Sequence, residues 1–309
     1  MIKGVIAPNL TFFNKDGSID LEKCRWHMDW MLDKGVDGLF VTGTYGSGYL
    51  MSAEERIKVY SLAKEVSDSH AGAFAIAHVG CPDTATSIAL TKAADQIGLR
   101  AVSAIVPYQY KYTADEILGF YESLVNSANI PVYAYNNPEI TGLPITCGMA
   151  ERLAKLGVSG LKDSAIDIQL ASGIYSSNAL NTKNFQYIAG TTTGWIAFRK
   201  LGVDAMIAGM CNYVPELVVD LYRYSFTDER KALSVYQIMN DLAAEIKSGN
   251  SLVSSHLALH ARGFDAGFMR PPLKVSYDVP DKIQRTGRLI DQALHEAFMV
   301  KSGTVEKVD

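Results

Sequence analysis

Short apolar runs and longer amphipathic stretches alternate along most of the chain. The runs are Gly4–Ala7, Gly38–Val41, Ala73–His78, Ala101–Val106, Val132–Tyr135, Gly160–Lys162, Phe185–Ile188 and Ala205–Ala208. They are apolar throughout rather than alternating, as strands are when both faces of a sheet are covered. Between them, stretches such as Asp20–Lys34, Ser52–Ser67, Thr84–Gln96 and Thr113–Ser127 carry helical spacing. Ser52 ahead of Ala53-Glu54-Glu55, and Thr113 ahead of Ala114-Asp115-Glu116, have the form of capping boxes. Asp16-Gly17 reads as a turn. Repeated β-then-α units imply a parallel sheet, and eight of them predict closure. The expected fold is α/β, a (β/α)8 TIM barrel with a C-terminal helical extension.

Past Ala208 the strand pattern stops. Pro215–Ser225, Glu229–Ser248 and Gln284–Val300 read as helices, interrupted by Arg270-Pro271-Pro272. Residues 1–214 are therefore expected to hold the barrel core through strand eight. Residues 215–309 would supply the last barrel helix and an extension packed on the barrel, in one structural unit. A length of 309 residues suits this, because α/β barrels often run to ~250 residues as one domain.

Charge narrows the partners. The formal net charge is −4 with no basic stripe, which argues against nucleic acid and anionic membrane surfaces. No apolar stretch reaches the ~20 residues that span a bilayer, and the N-terminus is too broken for a signal segment. Cys24, Cys81, Cys147 and Cys211 form no C-x-x-C pair, so free thiols in a reducing, cytoplasmic setting are expected. His256 and His260 stand four apart on one helix face, but no Glu follows His256 and no third ligand is evident. No metal is expected.

Candidate chemistry collects where strands end, since the active site of such a barrel lies at its C-terminal face. Strand two runs into Thr42-Gly43-Thr44-Tyr45-Gly46-Ser47-Gly48, and strand four into Tyr108-Gln109-Tyr110-Lys111-Tyr112. Strand five ends in Tyr135-Asn136-Asn137-Pro138, strand six in Lys162-Asp163-Ser164, and strand seven in Gly190-Thr191-Thr192-Thr193. A lysine at the exit of a buried strand is costly to desolvate, which lowers its pKa and frees the amine as a nucleophile. Taken alone, Lys162 is equally a strand-end lysine that pairs with Asp163 or snorkels to solvent. Tyr135 alone is more often a half-buried core tyrosine, and His78 more often a satisfied core histidine. The Gly43–Gly48 loop lacks the Gly-Lys-Ser/Thr ending of a nucleotide P-loop. Together, an amine, a phenol and a Gly/Thr-rich anion cradle are the parts of a Schiff-base enzyme for a 2-oxo acid.

The ordered motifs Gly43-Thr44-x-Gly46, Tyr133-x-Tyr135-Asn136-x-Pro138, Gly160-Leu161-Lys162-Asp163-Ser164 and Gly190 span essentially the whole chain. In them the chain resembles the pyruvate-dependent class I aldolases of the dihydrodipicolinate synthase and N-acetylneuraminate lyase family. Phe40-Val41-Thr42-Gly43-Thr44, Asn212-Tyr213-Val214-Pro215-Glu216 and Gly263-Phe264-Asp265-x-Gly267-x-x-Arg270-Pro271-Pro272 look most like segments of 2-keto-3-deoxygluconate aldolases. The resemblance implies that Lys162 forms an imine with a 2-oxo acid, with no other cofactor. It implies that Tyr135 moves protons at the reacting hydroxyl, and that Thr44 with the Tyr45 N–H holds the substrate carboxylate. Gly43, Gly190, Thr192, Ile207, Asn137 and Ser164 complete the implied substrate site. The implied partners are a small 2-oxo acid and an aldehyde, and the implied assembly is a homotetramer, a dimer of dimers.

Four sites along the chain depart from the family pattern. Tyr45 stands where a second threonine usually relays protons to the catalytic tyrosine. Ile140 replaces the arginine by which dihydrodipicolinate synthases grip a carboxylate, removing a bidentate clamp. Thr191, Thr192 and Thr193 replace the acidic residues of sialic acid lyases, although hydroxyls still suit a sugar-acid chain. Gln109 replaces the second aromatic of the strand-four exit, where Tyr108, Tyr110 and Lys111 remain candidates for an intersubunit relay or a distal anion. The favoured expectation is an aldolase that cleaves a 2-keto-3-deoxy sugar acid to pyruvate and an aldehyde. Alternatives are a dehydratase or a dihydrodipicolinate synthase-like condensing enzyme using the same imine. A barrel that binds keto acids without catalysis is the alternative from outside the enzymes.

Overall fold

The computed structural model describes residues 1–177, 180, 185–246 and 249–303. Its strands are β1 (Gly4–Pro8), β2 (Gly38–Val41), β3 (Phe74–His78), β4 (Ala101–Ile105), β5 (Val132–Asn136), β6 (Gly160–Asp163), β7 (Gln186–Ala189) and β8 (Ala205–Ile207). Each pairs in parallel with the next, and β8 returns to β1, so the sheet closes into a barrel. Every strand begins and ends within one residue of the apolar run that announced it.

Helices cover the outside of this barrel. Leu21–Asp33, Ala53–Asp68, Thr84–Ile97 and Ala114–Val125 follow the first four strands, and shorter ones at Cys147–Lys155, Ile168–Ser176 and Trp195–Lys200 follow the next three. Both expected capping boxes form, on Ser52 with Glu55 and on Thr113 with Glu116. After β8 come Pro215–Thr227, Glu229–Ile246, Ser251–Ala261 and Pro280–Ser302. Residues 247 and 248, the end of the expected Glu229–Ser248 helix, lie outside the described residues. The final helix starts four residues before Gln284 because Pro280, with no N–H to satisfy, is suited to its first turn.

Continuous apolar strands are explained by two separate buried layers. Ile6, Phe40, Ile76, Tyr133, Ile188 and Ile207 belong to a cluster inside the barrel, whereas Val5, Leu39, Ala77, Val102, Leu161 and Tyr187 pack under the helices. Alternate residues of one strand thus enter different cores. Inside, bulk on one strand is matched by its absence on the next. A Cβ on Gly38 would lie 2.6 Å from the Phe74 ring, and one on Gly160 would lie 2.7 Å from the Tyr133 ring. At the barrel's N-terminal end, Gln186 Oε1 accepts from the Ile2 N–H at 2.9 Å and the Tyr133 hydroxyl at 3.1 Å. That end is plugged, and chemistry is left to the other. There Arg270, from the segment before the last helix, holds Glu55 and donates to Leu50 O at 2.7 Å, tying the extension to the β2 exit.

Candidate active site

Alternation along β6 separates two consecutive charged residues. Lys162 faces into the barrel and is 5% exposed. Asp163 faces outward, where its carboxylate accepts from the Tyr187 hydroxyl and Asn136 Nδ2, both at 2.7 Å. It also accepts from the Ala165 and Asp167 N–H groups, both at 3.1 Å. Four donors therefore occupy Asp163, and the lysine meets aromatic rings instead of a carboxylate. Its Nζ stands 3.6 Å from the centre of the Tyr135 ring and 4.5 Å from that of Phe40. Burial pushes the Lys162 pKa down, while Tyr135 and Asp163 pull it part of the way back. Burial thus shifts Lys162 toward its amine form relative to a lysine in water.

Tyr135 reaches the same point from β5, where it is the register partner of Lys162. Asn137 Nδ2 donates to its hydroxyl at 3.1 Å, and the Ser164 hydroxyl lies at 3.5 Å. Thr44 is a third hydroxyl neighbour. Burial alone would raise the Tyr135 pKa, but the Lys162 charge and these neighbours outweigh it and bring the phenol down to about 8. A phenol so placed can release and recover a proton near neutrality.

The loop after β2 forms the opposite wall. Thr42 (φ +55°) and Ser47 (φ +53°) both sit in left-handed backbone, which for β-branched Thr42 stores on the order of 1–3 kcal/mol. Gly48 packs so tightly on the Thr42 carbonyl that no side chain fits there. The Ser47 and Gly48 N–H groups donate back to Thr44 O and Gly43 O. That leaves the Thr44 and Tyr45 N–H groups without a partner among the described residues, an arrangement suited to an anion. Gly43 is buried against the Phe40 ring.

Two residues of this loop are arranged differently from what the family pattern suggests. The hydroxyl beside Tyr135 is that of Thr44, not that of Tyr45. The Tyr45 phenol turns across Gly209, where no side chain would fit, and has the Ser251 and Ser255 hydroxyls as neighbours. A tyrosine is too long to stop where a threonine would, and the Tyr45 phenol reaches the helix behind the loop.

The other candidates divide into those that join the site and those that do not. Gly190 lies against it, since its N–H donates to Asp163 O at 2.6 Å and a Cβ there would be 2.5 Å from Ser164 Oγ. Ile207 lines the barrel interior, and Thr192 sits on the β7 exit near Met210. Gln109, Tyr110 and Lys111 are exposed, Tyr110 to 75%, and within one chain they do not face Lys162. Tyr108 alone of that group turns inward, packing edge-on against Tyr49 at 5.3 Å. The Tyr49 ring, unremarked in the sequence, also meets His78 edge-on at 5.7 Å. His78 has the Ile105 N–H and the Arg56 guanidinium, both donors, 3.3 Å from its two ring nitrogens. With burial, Arg56 and Lys162 all opposing a second proton, it stays neutral. His256 and His260 are committed to the backbone, each with Nδ1 near a carbonyl, of Ala266 at 3.0 Å and Phe264 at 3.1 Å.

Comparison with known proteins assigns this barrel. The dihydrodipicolinate synthetase family model matches residues 1–286. The chain belongs to that family. Among its relatives in this family is an N-acetylneuraminate lyase of Clostridium perfringens, 28% identical over 276 residues, covering 88% of this chain and 94% of the relative. A probable 2-dehydro-3-deoxy-D-pentonate aldolase of Escherichia coli is 29% identical over 222 residues, 71% of this chain and 73% of the relative. In structure, a variant of the Sulfolobus solfataricus 2-keto-3-deoxygluconate aldolase superposes with a TM-score of 0.84 at 25% identity, over 98% of this chain and 100% of the other. Dihydrodipicolinate synthetase family members are aldolases and lyases that use a lysine Schiff base with pyruvate, and this protein is accordingly a lyase. Among the described residues, no helix is long and apolar enough to cross a membrane.

Proposed function

We propose that this lyase cleaves a 2-keto-3-deoxy sugar acid to pyruvate and an aldehyde through an imine on Lys162. One observation carries the reading: the Lys162 amine is buried against the Tyr135 phenol while the adjacent carboxylate of Asp163 is saturated by other donors. The free amine attacks the C2 carbonyl carbon, and loss of water gives the protonated imine. The Tyr135 phenolate then takes the proton of the C4 hydroxyl. The C3–C4 bond breaks, its electron pair moves into the imine to form an enamine, and the aldehyde departs. The Tyr135 phenol gives that proton to C3, and attack by water on the imine carbon releases pyruvate and restores the amine and the phenolate. The substrate carboxylate rests on the Thr44 and Tyr45 N–H groups.

Two features favour a sugar-acid tail over a second anion. Ile140, exposed at the β5 exit, offers no charge to a carboxylate, and Thr191, Thr192 and Thr193 offer hydroxyls at the β7 exit. The relatives named above include aldolases for 2-dehydro-3-deoxy sugar acids, which supports the same choice. Assembly as a homotetramer belongs to this reading and is checked by native mass spectrometry. The decisive experiment is borohydride reduction in the presence of pyruvate, followed by peptide mapping. An adduct on Lys162 that is absent from Lys162→Ala is expected; a folded protein that yields no adduct would overturn the imine. Release of pyruvate plus an aldehyde from a 2-keto-3-deoxy sugar acid then separates cleavage from dehydration, which would leave a dehydrated 2-oxo acid.

A further inference from the structure

Behind the Tyr135 phenol lie two more hydroxyls that the mechanism has not used. Thr44 Oγ1 and Tyr49 Oη are both buried, and among the described residues neither meets a partner at full hydrogen-bond geometry. A buried hydroxyl without a partner is costly, about 1–3 kcal/mol, and calls for an explanation. The Thr44 side chain is a close neighbour of both phenols, that of Tyr135 and that of Tyr49. The aromatic framework holds Tyr49 rigidly in that place. Its ring is edge-on to His78 at 5.7 Å and to Tyr108 at 5.3 Å, and His78 is in turn edge-on to Tyr135 at 5.9 Å. Such a ring has little freedom to turn its hydroxyl elsewhere.

We propose that Tyr49 is a positioning residue for the lyase reaction, its phenol donating to Thr44 Oγ1 so that the Thr44 hydroxyl donates to Tyr135 Oη. A threonine hydroxyl has one proton and two lone pairs, so it can accept from one neighbour while donating to another. Occupying its acceptor side from Tyr49 directs its proton toward Tyr135. There that proton stabilises the phenolate needed to deprotonate the substrate hydroxyl. Contacts of this kind close to full geometry when substrate fills the site.

The groups facing Tyr49 leave it the donor. Its phenol is held protonated by burial first and by the nearby Tyr135 and Tyr108 phenols, which outweigh the opposing pull of the Thr44 hydroxyl and Arg56. His78 is neutral, Tyr108 is pushed up to about 12 and stays protonated, and the Tyr60 phenol and the Cys81 thiol are likewise raised by burial. Around Tyr135 the lysine supplies the positive charge, and Tyr45, raised by burial, stays neutral. In this group Tyr135 is the phenol poised to ionise.

The inference rests on the imine reading, and its test needs no aldehyde. Lys162 bound to pyruvate as an imine should exchange the C3 protons of pyruvate for deuterium in D2O, read by proton NMR across pH. Tyr49→Phe keeps the ring and removes only a hydroxyl with no full hydrogen bond, so the fold and borohydride trapping on Lys162 should be retained. Exchange should slow roughly tenfold, a fraction of the ~10²–10⁴-fold contributed by a positioned acid–base group. The rising limb of its pH profile should move up, with the KM for pyruvate little changed. In Thr44→Val, adding Tyr49→Phe should cost nothing further, because the phenol acts through the threonine. Unchanged exchange and an unchanged limb in Tyr49→Phe, with wild-type exchange intact, would overturn the role of Tyr49 alone. Additive losses in the double variant would do the same. A wild-type protein that neither traps nor exchanges pyruvate would remove the imine reading and this proposal with it.

Discussion

Tyr135 and Lys162 are register partners on adjacent strands, and the lysine nitrogen stands 3.6 Å from the centre of the tyrosine ring. Two titratable groups this close share their electrostatics. Burial pushes Lys162 down, the Tyr135 phenolate pulls it up, and Lys162 in turn helps to bring Tyr135 to about 8.

A signed consequence follows for pH. Removing the Tyr135 hydroxyl leaves burial at Lys162 opposed by Asp163 alone, so its pKa should fall further and the free amine should persist to lower pH. In Tyr135→Phe, the pH at which borohydride trapping of pyruvate reaches half its maximum should therefore move down from the wild-type value. Trapping should survive while C3 exchange drops by ~10²-fold or more. A midpoint that rises, or exchange that is unaffected, removes Tyr135 from this role.

Asp163 should matter for stability more than for charge at Lys162. Asp163→Ala strands the Tyr187 hydroxyl, Asn136 Nδ2 and two backbone N–H groups in buried or half-buried surroundings. A loss of roughly 3–5 kcal/mol in urea unfolding is expected, the range for breaking a buried charged network. Pyruvate should still be trapped on Lys162 by whatever fraction remains folded. A loss under about 1 kcal/mol would mean that the network carries little of the fold.

Acid should weaken the protein before its carboxylates titrate. His27 and His256 are fully buried, and burial lowers both from 6.5 to about 4. Between those values the unfolded chain takes up protons that the folded one refuses. Their stabilising effect is complete above 6.5 and is lost as pH falls toward about 4, at roughly 1.4 kcal/mol per pH unit for each histidine. Denaturation curves across that window should show the slope, and His256→Gln should flatten it. An unchanged slope in that variant would sever the link.

Gly190 tests how closely β7 must approach β6. A Cβ there would meet Asp163 O and Ser164 Oγ at 2.5 Å, and the strand cannot retreat without losing the Gly190 N–H bond to Asp163 O. Gly190→Ala should destabilise by about 1–3 kcal/mol, as overpacking commonly does. It should also slow imine formation on Lys162 by displacing Ser164. Trapping rates equal to wild type would show that the backbone absorbs the methyl group elsewhere.

The helix and strand positions were legible because they depend on local pattern. A run such as Ala101–Val106 is apolar on both faces whatever lies around it, and Ser52 with Glu55 caps a helix through contacts three residues apart. Lys162 and Tyr135 were legible at strand exits for the same reason, since barrel strands all deliver their last residues to one end. Their separation was not legible, and neither was the fate of Asp163. Which neighbour on β7 satisfies that carboxylate depends on register, and register is set by packing across strands distant in sequence.

Tyr45 and Tyr49 mark the same boundary from within a single loop. By sequence they are two tyrosines four residues apart in a glycine-rich turn. In the structure one reaches over Gly209 to the helix Ser251–Ala261, and the other enters the ring cluster with His78 and Tyr108. The sequence by itself determined a closed α/β barrel and which residues stand at its mouth, because period and composition act over short spans. Only the tertiary structure decided which hydroxyl meets Tyr135 and which partner Lys162 goes without. Those outcomes turn on contacts between residues far apart along the chain, which no local pattern records.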